Sequence, residues 1–160
     1  MTQITKNDLP SANRKKINIL LGQLLADGVD LYSQTKQAHW NVKGENFIAL
    51  HQLFDALAAE VGLAADTIAE RIMQLGGSAQ GTVRVAAKNS RLKEYSLDAV
   101  DSQQHVDALS SALALFNKHA RKAIDETTEL GDAVSADMFT SIVSGLDKQL
   151  WFIESHLKRK

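Results

Sequence analysis

The sequence predicts an all-α fold, a four-helix bundle with one long crossover. Three observations carry that expectation: nearly all apolar residues recur with the helical period, strand signals are almost absent, and the connections run short, long, short. The first helix is expected from Asn13 to about Ala38, where Ile17, Leu20, Leu21, Leu24, Leu25, Gly28, Leu31 and Tyr32 hold an i, i+3, i+4 rhythm. Asn-Val-Lys-Gly at 41–44 ends it, with Gly44 free to take the left-handed conformation. A second helix carries Leu50, Leu53, Phe54, Leu57, Val61, Ile68, Ile72 and Leu75, and stops at Gly76-Gly77. About twenty residues then connect it to the third, the long link of a single-crossover bundle. Within them Gly81-Thr-Val-Arg-Val leans towards strand but is too short to seed a sheet, and fits a short helix equally well. The third helix carries Val106, Leu109, Leu113, Phe116, Ala120 and Ile124, entered at Asp101-Ser102 as its cap and left at Gly131. The fourth carries Phe139, Ile142, Val143, Leu146, Leu150, Ile153 and Leu157, with Ser135 as the expected cap.

Composition narrows the chemistry. The chain has 160 residues with no Cys, so disulfides, thiolate zinc sites, iron–sulfur clusters and cysteine nucleophiles are excluded. A chain of this size buries about 70% of its unfolded surface, so one complete core is expected. The reading is a single domain over 1–160, with a flexible N-terminal arm at 1–12 and a basic tail at 158–160. The first residues hold no apolar run, and no stretch reaches the roughly 20 apolar residues of a membrane span, so a cytoplasmic protein is expected. The net charge is −1, so any binding to polyanions must be local.

Five residues fall at metal-ligand spacings: His39, His51, Asp55, Asp66 and Glu70. Residues i and i+4 share a helix face, so His51 with Asp55 forms one pair and Asp66 with Glu70 another. One chain cannot close a site with all five, because Asp55 and Asp66 stand about 16 Å apart along a helix, and a metal bond is about 2 Å. The two pairs nevertheless lie on nearly the same face. In an antiparallel two-fold pairing of this helix, facing residue numbers have a constant sum. His51 with Glu70 and Asp55 with Asp66 share the same sum, 121, so one axis near residues 60–61 would build two identical sites per dimer. Small residues near that axis, Ala58, Ala59, Gly62 and Ala65, allow a close approach. Two imidazoles and three carboxylates without sulfur suit iron, manganese or zinc. The usual di-iron bundle signature, with its Glu-x-x-His motifs, is absent, so a centre inside one chain is not expected.

These residues resemble a known family, the mini-ferritins called Dps (DNA-binding proteins from starved cells). The likeness is carried by Thr35-Lys-Gln-Ala-His-Trp-Asn-Val-Lys-Gly44, Phe47-Ile-Ala-Leu-His51, Asp66-Thr-Ile-Ala-Glu-Arg-Ile-Met-Gln-Leu-Gly-Gly77 and Leu146-Asp-Lys-Gln-Leu-Trp-Phe-Ile-Glu154, and spans roughly residues 7–157. It implies a ferritin-like bundle assembling into a hollow dodecamer. Fe(II) would be oxidised at two-fold interfaces, preferentially by hydrogen peroxide, with up to two irons per site, and Fe(III) stored as mineral. By position, His39, His51 and Asp55 come from one subunit, and Asp66 and Glu70 from its neighbour. Trp40 matches a family tryptophan that accepts stray oxidising equivalents, although interface packing explains it as well. Asp132 and Asp137 fall near the family's three-fold iron pores, where a solvated helix end is the other explanation.

DNA is the weaker expectation. Lys6 is the lone cation ahead of Asn7-Asp-Leu-Pro10, and Lys158, Arg159 and Lys160 make the better candidate, with twelve copies adding avidity. Binding is expected to be weak or absent. The alternative function is a nucleoid-compacting structural protein with a secondary metal site.

Overall fold

The computed structural model describes residues 4–158. Its helices are α1 (Ser11–Asn41), α2 (Phe47–Gln74), α3 (Val83–Asn89), α4 (Ser102–Glu129) and α5 (Ala133–Glu154), with no strand among the described residues. The four long helices are those the apolar periodicity marks out. The segment that leaned both ways is helical as α3, which packs on α1.

Cross-helix bonds fix the topology. Asn13 reaches the carbonyl of Leu130 and Asp27 lies beside His119, so α1 and α4 are antiparallel. Arg71 meets Ser135 and Glu60 meets Gln149, so α2 and α5 are antiparallel as well. With tight links joining α1 to α2 and α4 to α5, α2 and α4 must run parallel across the bundle. The chain leaving α2 therefore travels back along its whole length, about 40 Å for a 28-residue helix, before α4 begins. That return explains the long crossover.

The turns are written in local chemistry. Gly76 and Gly131 adopt positive φ (75° and 78°) and close matched Schellman motifs on α2 and α4. In the first, Gly77 N–H donates to Ile72 and Gly76 N–H to Met73; in the second, Asp132 N–H donates to Thr127 and Gly131 N–H to Thr128. At α4 the Asp101 carboxylate accepts from Gln104 N–H while the Gln104 side chain accepts from Asp101 N–H, a reciprocal capping box.

At α5 the expected cap is corrected. Asp132, not Ser135, is the cap: its carboxylate accepts the Ser135 backbone N–H at 3.1 Å and the Ser135 hydroxyl at 2.5 Å. A carboxylate offers two acceptors to the orphan amides of the first turn, where a hydroxyl offers one oxygen.

Phe54, Phe116 and Phe139 are fully buried, with Leu21, Leu24, Leu31, Leu57 and Ile68 filling the space between them. Residues 5–9, expected in a flexible arm, are hydrogen-bonded onto the body: Arg14 donates to the carbonyls of Asn7 and Leu9, and the Thr5 hydroxyl to that of Gln74. By length and composition α2 is apolar enough to cross a membrane. Half of it instead faces the packed core, and five titratable side chains (His51, Asp55, Glu60, Asp66 and Glu70) interrupt it.

Candidate metal centre

The α1–α2 turn folds His39 back beside His51. Their rings stack with centroids 3.8 Å apart. Nδ1 of His39 lies 2.8 Å from the His51 carbonyl oxygen, and Nδ1 of His51 lies 2.9 Å from the His39 carbonyl oxygen. A carbonyl only accepts, so both Nδ1 atoms carry the proton, and both Nε2 atoms keep a free lone pair. That is the tautomer a metal ligand needs, held by the backbone-carbonyl support usual around metal-bound imidazoles.

Asp55 follows one turn along α2 and is 60% exposed. Its Oδ1 lies 3.9 Å from Nε2 of His39 and accepts a hydrogen bond from Lys36 Nζ at 2.7 Å. The Lys36 ammonium, through that bond and its charge, holds the Asp55 carboxyl below the usual carboxylate range, with His39 and His51 adding to the effect. Sequence spacing missed Lys36 because its partner sits on a different helix. The Thr35-Lys-Gln-Ala-His run placed it one turn before His39 and was the signal available.

Asp66 and Glu70 are exposed farther along α2, and the structure does not bring them to the histidines. Among the described residues, no cluster of three or more His, Asp or Glu side chains is close enough to enclose a metal. His51, Asp55, Ala59, Gly62, Asp66 and Glu70 form one stripe at i, i+3 and i+4 spacing. Two of the small residues expected at the axis are corrected: Ala58 and Ala65 are buried in the chain's own core, Ala65 close against Gly28 of α1. Each sits one residue off the outer stripe, a rotation of about 100° that turns it inward. Ala59 remains exposed and Gly62 lies under the Tyr32 ring.

Around the stripe stand exposed apolar side chains: Trp40 (66% exposed), Phe47, Ile48, Leu63 and Met73. Trp40 lines a groove with Val29, Tyr32, Val83 and Ala86, and Lys36 Nζ lies 6.0 Å from its ring centroid. Such a rim is costly in water and fits a surface another chain covers.

The remaining expected residues lie elsewhere. Asp132 is buried in an ion pair with Arg71 (2.7 Å), its oxygens engaged within the chain, whereas Asp137 is exposed on α5. Lys6 and Lys158 are exposed at opposite ends of the sequence, and the Lys158 backbone N–H donates to Gln103. Arg159 and Lys160 lie outside the described residues.

Comparison with known proteins is consistent across sequence and fold. A family model described as a ferritin-like domain matches residues 19–160. A "DNA protection during starvation protein" of Agrobacterium fabrum is 43% identical over 159 residues, covering 99% of this chain and 98% of the relative. Among solved structures, a tetragonal form of Mycobacterium smegmatis Dps superposes with a TM-score of 0.93 at 33% identity, covering 99% of this chain and 96% of that one. DpsC from Streptomyces coelicolor superposes with a TM-score of 0.94 at 28% identity, covering 100% and 94%.

Proposed function

The chain belongs to the Dps family of ferritin-like proteins, and from that premise we propose that it is a ferroxidase and iron-storage protein whose active centre is shared between two subunits. The observation that carries this reading is the reciprocal His39–His51 bonding, which leaves two imidazole Nε2 atoms free beside Asp55. Asp66 and Glu70 of the partner subunit complete the set, in the register that the shared sum of residue numbers defines.

Fe(II) is the substrate. Histidine and carboxylate donors hold it, and the carboxylates favour Fe(III) as charge builds. Two Fe(II) ions release two electrons, and one hydrogen peroxide with two protons takes them up as two waters. No hydroxyl radical is released, so DNA is protected chemically. Lys36 holds the Asp55 carboxylate in place before iron arrives and yields it when a dication enters. The oxidised iron passes into the cavity of a dodecamer as mineral, with Asp137 the exposed candidate for an entry pore. The protein acts in the cytoplasm. DNA contact is secondary: Lys158 is exposed, but few cations stand near it.

The test is stopped-flow Fe(II) oxidation by peroxide with a His51→Ala/Asp55→Ala variant. Rapid oxidation should vanish while the particle mass stays native; a normal rate would sink the assignment. Deleting residues 158–160 should leave oxidation intact and remove any retardation of DNA.

A further inference from the structure

Across α1 from the histidines, a second pair of groups is buried without a role in the metal site. The Tyr95 hydroxyl, in the crossover, lies 2.5 Å from Nδ1 of His105, near the start of α4. The two rings are nearly parallel, 15° apart, with centroids 6.2 Å apart. Both residues are buried, Tyr95 9% exposed and His105 1%. Nε2 of His105 is buried without a hydrogen-bond partner. The backbone of Asn41 and the Asp101 carboxylate both lie where they favour a protonated ring. Asn41 directly follows Trp40, the indole at the rim of the candidate centre. One chain of neighbours thus runs from Trp40 through Asn41 and His105 to a buried phenol.

We propose that Tyr95 and His105 form a proton-coupled electron donor that quenches one-electron oxidants escaping the iron centre. The inference rests on the ferroxidase reading for its oxidant. When a single Fe(II) gives one electron to peroxide, hydroxide and a hydroxyl radical form. The radical takes one electron from Trp40, giving hydroxide and an indole radical cation. Tyr95 then returns one electron to the indole, and its O–H bond breaks, the proton moving to Nδ1 of His105. The products are intact tryptophan, a neutral tyrosyl radical and an imidazolium. The geometry supplies what this step needs, an acceptor already hydrogen-bonded to the phenol and nearby groups that stabilise the cation formed. Burial keeps the histidine neutral beforehand, and pushes the Tyr95 phenol up to about 12, so the proton leaves only with the electron. A burial site also shields the radical from solvent and from DNA.

The test freezes wild type, Tyr95→Phe and Tyr32→Phe proteins within milliseconds of adding Fe(II) and substoichiometric peroxide, and reads their electron paramagnetic resonance. The chain has two tyrosines, so the assignment is binary. Wild type and Tyr32→Phe should show a tyrosyl signal that narrows with ring-deuterated tyrosine. Tyr95→Phe should lose it and accumulate an indole signal. A tyrosyl signal that survives in Tyr95→Phe, or none in wild type while iron is oxidised, overturns the proposal. Azide radical generated by pulse radiolysis in iron-free protein repeats the comparison without iron. If iron is never oxidised the ferroxidase reading fails, and this arm still decides whether Tyr95 is the sink. A purely structural tyrosine–histidine bond would change stability in Tyr95→Phe and leave the radical pattern unmoved.

Discussion

His39 and His51 each donate Nδ1–H to the other's backbone carbonyl, at 2.8 and 2.9 Å, so the end of α1 and the start of α2 are clasped by the two side chains that present Nε2 for a metal. Ligand geometry and turn geometry are therefore one feature. Replacing His51 by Ala removes one of the two bonds, worth about 1 kcal/mol, and leaves the other intact. The melting temperature should fall by only roughly 2–4 °C. Fe(II) oxidation should fall far more, and calorimetry beside stopped-flow separates the two effects.

Shared sites make a quantitative prediction about mixtures. Co-assembly of a His51→Ala/Asp55→Ala variant with an Asp66→Ala/Glu70→Ala variant puts both lesions into one site of each mixed dimer and leaves the other whole. Random pairing should therefore restore about a quarter of wild-type oxidation, although each variant alone is inactive. Activity that stays absent after verified subunit mixing would disprove the register.

Arg71 and Asp132 join α2 to the α4–α5 turn with side chains 9% and 2% exposed. Arg71→Met strands a buried carboxylate, which should cost about 3 kcal/mol. Adding Asp132→Asn removes the stranded charge, keeps a good helix cap and should recover about half of that loss. Denaturant unfolding of the four proteins of this cycle is the measurement.

Stability should decline at both ends of the pH scale for identifiable reasons. Burial, first of all, holds His105 and His119 below their ordinary value of 6.5, with the Arg91 charge adding to the effect at His119. Between the folded and unfolded values the unfolded chain binds more protons, so this stability is complete above 6.5 and is lost as pH falls below it. At the alkaline end Tyr95 ionises near 10 when unfolded and about 12 when folded, so stability is lost as pH rises through that interval. Melting temperatures against pH should show both limbs. His119→Gln should flatten the acid limb and Tyr95→Phe the alkaline one.

The sequence disclosed most where chemistry is local. Asp101 and Gly131 announce the bounds of α4 because a cap and a left-handed glycine act within a few residues, and the apolar period located all four long helices. Asp132 escaped because Asp-x-x-Ser offers two oxygens as caps, and only the Arg71 pairing across the bundle decides between them. Ala58 and Ala65 escaped because one residue of rotation separates the outer stripe from the core, finer than a periodicity read by eye. The five ligand positions were legible from spacing. Lys36 against Asp55 and Tyr95 against His105 were not, since each pair joins elements whose contact depends on tertiary packing.

The distance of about 16 Å between Asp55 and Asp66 along α2 carries a biological consequence. A newly synthesised subunit holds only fragments of the oxidising machinery, and so does no harm with free iron in its vicinity. Catalytic power switches on at encounter, so at low abundance turnover should climb with the square of subunit concentration. The polypeptide thus keeps a hazardous reaction dormant until a compartment to hold its product has begun to form.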